Sequence, residues 1–328
     1  MPLHIEDKIY GSFDINEEVL QELLTSNPVQ RLKGIHQGGA SYLVNPEWNV
    51  TRYDHSVGVM LLIRLLGGSV DEQAAGLLHD VSHTAFSHVI DFVLDYENQD
   101  YHEEIFEEVI SQSDIPEILK RHGLDIAKVM DEENWKILEQ PLPDLCADRI
   151  DYTLRDMNQQ GMMHQKDIDS LLKSLRFNGE KVYVDDDGAA EWFVRFYYKE
   201  VIDYFLHPLN VYGYQVLSQS LKEALQRGVI TREDFLLTDE ELLHKVKSSD
   251  DSTVQQLLGK LHPNVEVEYN EHDYDYSQHS KLRYIDPLVQ IKDGNLVPVS
   301  QINQSVKEAT ARAKTQSEKG TYVKVLST

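Results

Sequence analysis

The stretch AAGLLHDVSHTAFSH, Ala74 to His88, sets three imidazoles and a carboxylate into a run that is otherwise apolar and helix-prone. A helix in such a run normally buries Leu and Ala on its core face. The acidic start of DEQAAGLLHDVSH suits a helix dipole and predicts a helix that continues through His83. On it His79 and His83, four residues apart, share a face within about 40°, with Asp80 at that face's edge. One buried histidine is ordinary, but His79 and Asp80 together have the donor chemistry of a metal site. A borderline divalent ion needs four to six N/O ligands, so further ligands must come from elsewhere in the chain.

The remaining composition limits what those ligands serve. The chain has 328 residues, 41% of them hydrophobic, enough to bury a full core. With 31 basic and 56 acidic residues the formal charge is −25, which argues against capture of nucleic acid by the overall field. A local basic pocket for a phosphorylated small molecule is compatible with it. Cys146 is the single cysteine, so intrachain disulfides and multi-cysteine zinc sites are excluded. The start MPLHIEDKIYGSF does not read as a signal peptide, and VGVMLLIRLLGG is interrupted by Arg64 and too short to span a bilayer. A cytoplasmic protein without membrane contact is expected.

From about Asn16 to Leu243 the apolar spacing is mostly helical, as in NEEVLQELLTS, SVGVMLLIRLLGG, HEEIFEEVISQS and EWFVRFYYKEVIDYFLHP. The polar stretch KVKSSDDST, Lys245 to Thr253, reads as a linker. Beyond it, LRYIDPLVQIKDGNLVPVSQI reads as two strands joined at Asp293-Gly294-Asn295, VKEATARAKTQSEKG as a helix and TYVKVLS as a last strand. The expected fold is mainly α, a helical bundle over residues 1–247 followed by a small α+β region over 248–328.

Two segments supply partners for His79 and Asp80. His55 lies in VTRYDHSVGV at the start of a buried helix, with Arg52 just before it. In LPDLCADRIDYTLRD, the residues Asp148, Asp151, Tyr152 and Arg155 fall on one helical stripe, with Arg149 and Asp156 on the neighbouring one. A core helix would carry an apolar stripe there; this one suits a phosphate-bearing pocket beside a metal. Asp151 and Arg155 are also placed to pair across one turn.

The order His55, His79-Asp80, Asp148 resembles the H…HD…D signature of the HD-domain phosphohydrolases. The segments NPVQRLKGIHQGG, TRYDHSVGVMLL, AAGLLHDVSHTAFSH, YHEEIFEEVI and ADRIDYTLRD resemble, in order, those of the dNTP triphosphohydrolase branch, which includes bacterial dGTPases and the mammalian SAM-and-HD-domain dNTPase. The similarity runs from roughly Val19 to Val246. It implies a helical HD fold and one divalent ion (Mn, Mg, Fe, Ni, Co or Zn) held by His55, His79, Asp80 and Asp148. It further implies catalytic roles for His83, His102 and Glu103, and substrate contacts from Arg52, Arg149, Tyr152 and Asp156. His88 is read as a capping or packing residue, and His164, His207, His244, His262, His272 and His279 as structural.

Relatives that act on dNTPs carry Arg and His on the helix around FVRFYYKEVIDYFLHP, where this chain has Tyr197 and Val201. Arg149 also replaces a lysine, exchanging a point charge for a planar fork. The expected function is metal-dependent hydrolysis of a nucleotide, a dNTP first among candidates. A non-catalytic nucleotide sensor and a di-iron HD oxygenase are the alternatives. The expected partners are a nucleotide or other phosphorylated small molecule and further copies of the chain in a homo-oligomer, with nucleic acid disfavoured.

Overall fold

The computed structural model describes residues 1–96, 100–279 and 281–327. Its centre is a buried helix, Arg52–Leu65, packed against Val70–Leu78 and Ala147–Gln159. Thr51 caps the first of these by accepting the Asp54 N–H, and Ser69 caps the second by accepting the Glu72 N–H. From Ser56 to Ile63 the central helix is buried on all sides, as expected of an apolar run without a polar face. Gly58 lets Ala147–Gln159 approach closely: a Cβ at this position would collide with the side chains of Asp151 and Arg155.

A second group of helices covers the other side of the Ala74–His88 stretch. The long helix Pro208–Gln226 packs on Val89–Val93 and on Ser252–Leu258. Leu242, Val246, Val254 and Leu258 share a core with Ala85 and Phe86. The polar stretch Lys245 to Thr253 is therefore a turn between two packed helices, Asp239–Lys247 and Ser252–Leu258, and not an open linker. Its polar residues cap those helices, with Asp251 accepting the Thr253 and Val254 N–H groups.

Small sheets make the fold mainly α rather than wholly α. Leu3–Asp7 and Gly11–Ile15 form an antiparallel hairpin that the spacing of apolar residues did not predict. The expected hairpin Leu288–Gln290/Leu296–Pro298 forms, and Leu288–Gln290 also lies parallel to Val182–Val184. Residues after 247 thus share a sheet with residues before it. The helix Gln304–Lys319 packs on Asp187–Lys199, and Thr321–Ser327 pairs with Glu266–Tyr269 and Tyr276–Gln278. Among the described residues no helix is long and apolar enough to cross a membrane.

One local expectation fails in an informative way. The helix over Val70–Leu78 stops at His79, and Asp80 to His88 run through successive turns. No glycine or proline marks the stop. Long-range hydrogen bonds take over instead: the Arg31 guanidinium binds the carbonyls of Val81 and His83, and the fully buried Asp239 carboxylate accepts the Phe86 N–H at 2.6 Å. Phe86 and Ser87 are held at φ 60° and 51°, a left-handed conformation costly for side-chain-bearing residues and sustained here by those clamps.

Candidate functional site

His55, on the first turns of the central helix, is 1% exposed and bonded at both ring nitrogens. Its Nδ1 lies 2.8 Å from Asp151 Oδ2 and its Nε2 2.9 Å from Asp148 Oδ1. Asp151 is itself fixed by Arg155, whose Nε and NH2 reach it at 3.0 and 2.8 Å, and Arg155 also holds Asp7 of the N-terminal hairpin at 3.1 Å. The pairing of Asp151 with Arg155 across one turn is as expected, but it serves to hold the His55 ring.

His79 caps the end of Val70–Leu78 and is bonded through Nδ1 to the Gly76 carbonyl at 2.8 Å. That carbonyl can only accept, so Nδ1 keeps a proton and Nε2 is the lone-pair donor of the neutral ring. Nε2 is buried, has no hydrogen-bond partner, and lies 3.6 Å from Asp80 Oδ1 and 3.7 Å from Asp148 Oδ1. Donor atoms of His55, His79 and Asp80 all fall within 4.8 Å of one another. Burial disfavours charge on both imidazoles, yet the surrounding carboxylates outweigh it. Hydrogen bonds to Asp148 and Asp151 push His55 up to about 10, and the charges of Asp80 and Asp148 push His79 up to about 9. The same field favours a cation between them. Two imidazoles, one with an orphaned lone pair, and two carboxylates fit a divalent N/O site.

The other expected residues divide into those the fold gathers and one it does not. His83, fully buried, stacks on His102 at 3.9 Å between ring centroids and lies 3.3 Å from Asp80. Arg52 is buried and committed, with NH1 at 2.6 Å from Asp80 and Nε at 2.8 Å from Ser87 Oγ. Tyr152 and Asp156 line the same cavity, of about 720 Å³, as do His102 and Glu103. Arg149 does not line it: its guanidinium is bound to Glu139 at 2.6 Å, to the Asp144 carbonyl and to the Cys146 sulfur.

Two groups escaped the sequence reading. His88 lines the cavity, edge-on to His83 and His102 at 5.0 and 5.2 Å, and its Nδ1 is 2.9 Å from the buried Asp91 carboxylate. It holds the N-cap position of Val89–Val93 and packs on those rings, as expected, but makes no side-chain cap bond; the Asp91 contact fixes its Nδ1, and its ring also faces the cavity. Burial pushes His83 well below, and His88 below, the usual imidazole range and lowers His102 to about 3, so His83 and His102 are neutral at pH 7. At another wall Asp156 meets Glu200, fully buried on the π-helical segment Glu200–Phe205. Burial raises both, Asp156 to about 7, and the Asp156 charge raises Glu200 further. The His88–Asp91 pair, three residues apart, is a local pattern, whereas Glu200 is revealed only by its long-range approach to Asp156.

Buried imidazoles and carboxylates around one cavity form a candidate divalent-metal site in a helical scaffold. Residues 52–156 match the HD domain family model. The chain is 49% identical over 325 residues to the uncharacterized protein YdhJ of Bacillus subtilis, covering 99% of both chains. It is 37% identical over 233 residues to the metal-dependent phosphohydrolase cns2 of Cordyceps militaris, covering 69% of this chain and 67% of that one. A more distant relative is the deoxynucleoside triphosphate triphosphohydrolase SAMHD1 of Gallus gallus, 27% identical over 52% of this chain and 36% of its own. In fold the chain matches a hypothetical protein from Aquifex aeolicus, with a TM-score of 0.66, 23% identity and coverage of 96% and 100%. The chain belongs to the HD-domain family of metal-dependent phosphohydrolases and is a hydrolase of that type.

Proposed function

We propose that this hydrolase cleaves a phosphoester or phosphoanhydride bond of a nucleotide, a deoxynucleoside triphosphate before others, at a single divalent ion held by His55, His79, Asp80 and Asp148. The observation that carries the reading is the buried, unpartnered Nε2 of His79 facing His55, Asp80 and Asp148. A bound divalent ion there polarises a phosphoryl oxygen and lowers the pKa of its water. Asp151 and the Gly76 carbonyl orient the two ligand rings. His88, oriented by Asp91 and neutral once its pKa is depressed, accepts or returns a proton at Nε2, with His83 and His102 packed beside it. Arg52 offsets charge on Asp80 and on phosphoryl oxygens near it. The cavity volume lies in the range of small-molecule sites.

The dNTP preference is supported by the five ordered segments and by the SAMHD1 relative, a deoxynucleoside triphosphate triphosphohydrolase that matches 52% of this chain. To the same proposal belongs a cytoplasmic, homo-oligomeric protein. Product identification with a panel of dNTPs, NTPs and nucleoside monophosphates, using protein loaded with Mn, Fe, Co, Ni, Zn or Mg, tests the function. Release of tripolyphosphate, pyrophosphate or phosphate from a member of the panel is expected. Inertness toward the whole panel with every metal would refute it.

A further inference from the structure

The cavity is lined by three cations, Arg52, Lys281 and Arg283. Arg52 is committed to Asp80. Arg283 is not committed to any acid: among the described residues no carboxylate lies within 4.0 Å of its guanidinium. It is half-buried, stands beside Tyr152 and Tyr197, and has its guanidinium carbon 5.3 Å from the centre of the Phe205 ring. Phe205 lies within cation–π reach of the guanidinium, and the side chain lines the cavity.

In a chain of net charge −25, surface arginines find acids readily, and several here do. A partly desolvated guanidinium left without one, in a cavity, is costly unless an anion completes it. Tyr197, on the helix facing it, supplies no charge, and Arg149, the other guanidinium near Asp148, is consumed by Glu139. Lys281, exposed, lines the same cavity two residues away.

We infer that Arg283, with Lys281, forms the anion-binding arm of the substrate site and takes phosphoryl oxygens of the substrate in a bidentate grip. The inference rests on the phosphohydrolase reading of the cavity and deepens it. Both residues lie more than a hundred positions beyond the end of the 52–156 match. The HD segment alone therefore does not complete the site; the segment before the Leu288–Gln290 strand brings the specificity for phosphate. Arg is suited to this role because its fork matches two phosphoryl oxygens at once, a geometry that lysine lacks.

The test is equilibrium binding of inorganic tripolyphosphate and, separately, of deoxyadenosine to the full chain in EDTA. It compares wild type with Arg283→Ala and Arg283→Lys, with melting temperature as the control for folding. Arg283→Ala should weaken tripolyphosphate by about tenfold or more, leave deoxyadenosine within twofold, and be partly rescued in Arg283→Lys. Tripolyphosphate binding unchanged in Arg283→Ala overturns the inference, as does its absence in wild type or an equal loss of deoxyadenosine, which would make Arg283 a base contact. Turnover on the nucleotide panel separates the two claims. Arg283-dependent binding without hydrolysis sinks the phosphohydrolase reading and keeps the arm. Hydrolysis with an unchanged KM in Arg283→Ala does the reverse.

Discussion

Replacing Asp151 by Asn tests whether the His55 ring is oriented for metal binding. Asp151 is fully buried and accepts from His55 Nδ1 at 2.8 Å, which keeps a proton on Nδ1 and makes Nε2, 2.9 Å from Asp148, the nitrogen that would ligate. An asparagine of the same shape can turn its NH2 toward Nδ1, and the proton then moves to Nε2, where it blocks ligation. Removing such an orienting partner typically lowers metal affinity about 10–100-fold, equivalent to roughly 1.4–2.7 kcal/mol. The fold should suffer less than from an ordinary broken buried ion pair, which costs about 3–5 kcal/mol. Arg155 keeps Asp7 at 3.1 Å, and the Asn carbonyl still accepts one of its N–H groups. Titration of metal-stripped protein with Mn²⁺ by calorimetry reads the affinity, and a melt in EDTA reads the fold. Equal Mn²⁺ affinity in wild type and Asp151→Asn, with both folded, would refute the orienting role.

Three further outcomes follow from the same contacts. Asp239→Ala strands the Phe86 N–H and the His36 N–H and Nδ1–H, and should cost about 3–5 kcal/mol while lowering kcat through the Ala85–His88 turn; an unchanged melt and kcat would show that the turn holds itself. Gly58→Ala drives a methyl group into the Asp151–Arg155 pair and should lower the melting temperature and metal affinity together, whereas a neutral result would mean that the helices part freely. Glu200, raised by burial and by Asp156, remains protonated in the folded state over a pH range in which the unfolded chain ionises it. Folding therefore loses stability as pH rises above about 4.5. Glu200→Gln removes that loss and should melt higher than wild type at pH 8 but level with it near pH 4; a difference of the opposite sign would refute a buried, protonated Glu200.

The cluster was legible because its residue types and order are strict: the structure brings His55, His79, Asp80 and Asp148 together, as expected. The mainly helical scaffold was equally legible from apolar spacing, and so was the 288–298 hairpin from its Asp-Gly-Asn turn. What the sequence concealed depends on distant partners. The helix end at His79 is set by Arg31 and Asp239, neither adjacent to it in sequence. His88 looks like a cap until Ser87 and Phe86 turn left-handed and aim it at His83. Arg149 has the spacing of a pocket residue, but Glu139, ten residues earlier, takes its charge. Arg283 carries no motif at all, and only the chain's return to the cavity gives it meaning.

The central claim is that His55, His79, Asp80 and Asp148 hold one divalent ion on which hydrolysis depends. Its most direct test is elemental analysis of purified wild type and His79→Ala, each checked for an unchanged circular dichroism spectrum and then assayed on the nucleotide panel. The account predicts close to one divalent ion per chain with turnover in wild type, and loss of both in a folded His79→Ala. Full metal content and undiminished turnover in that variant would contradict it.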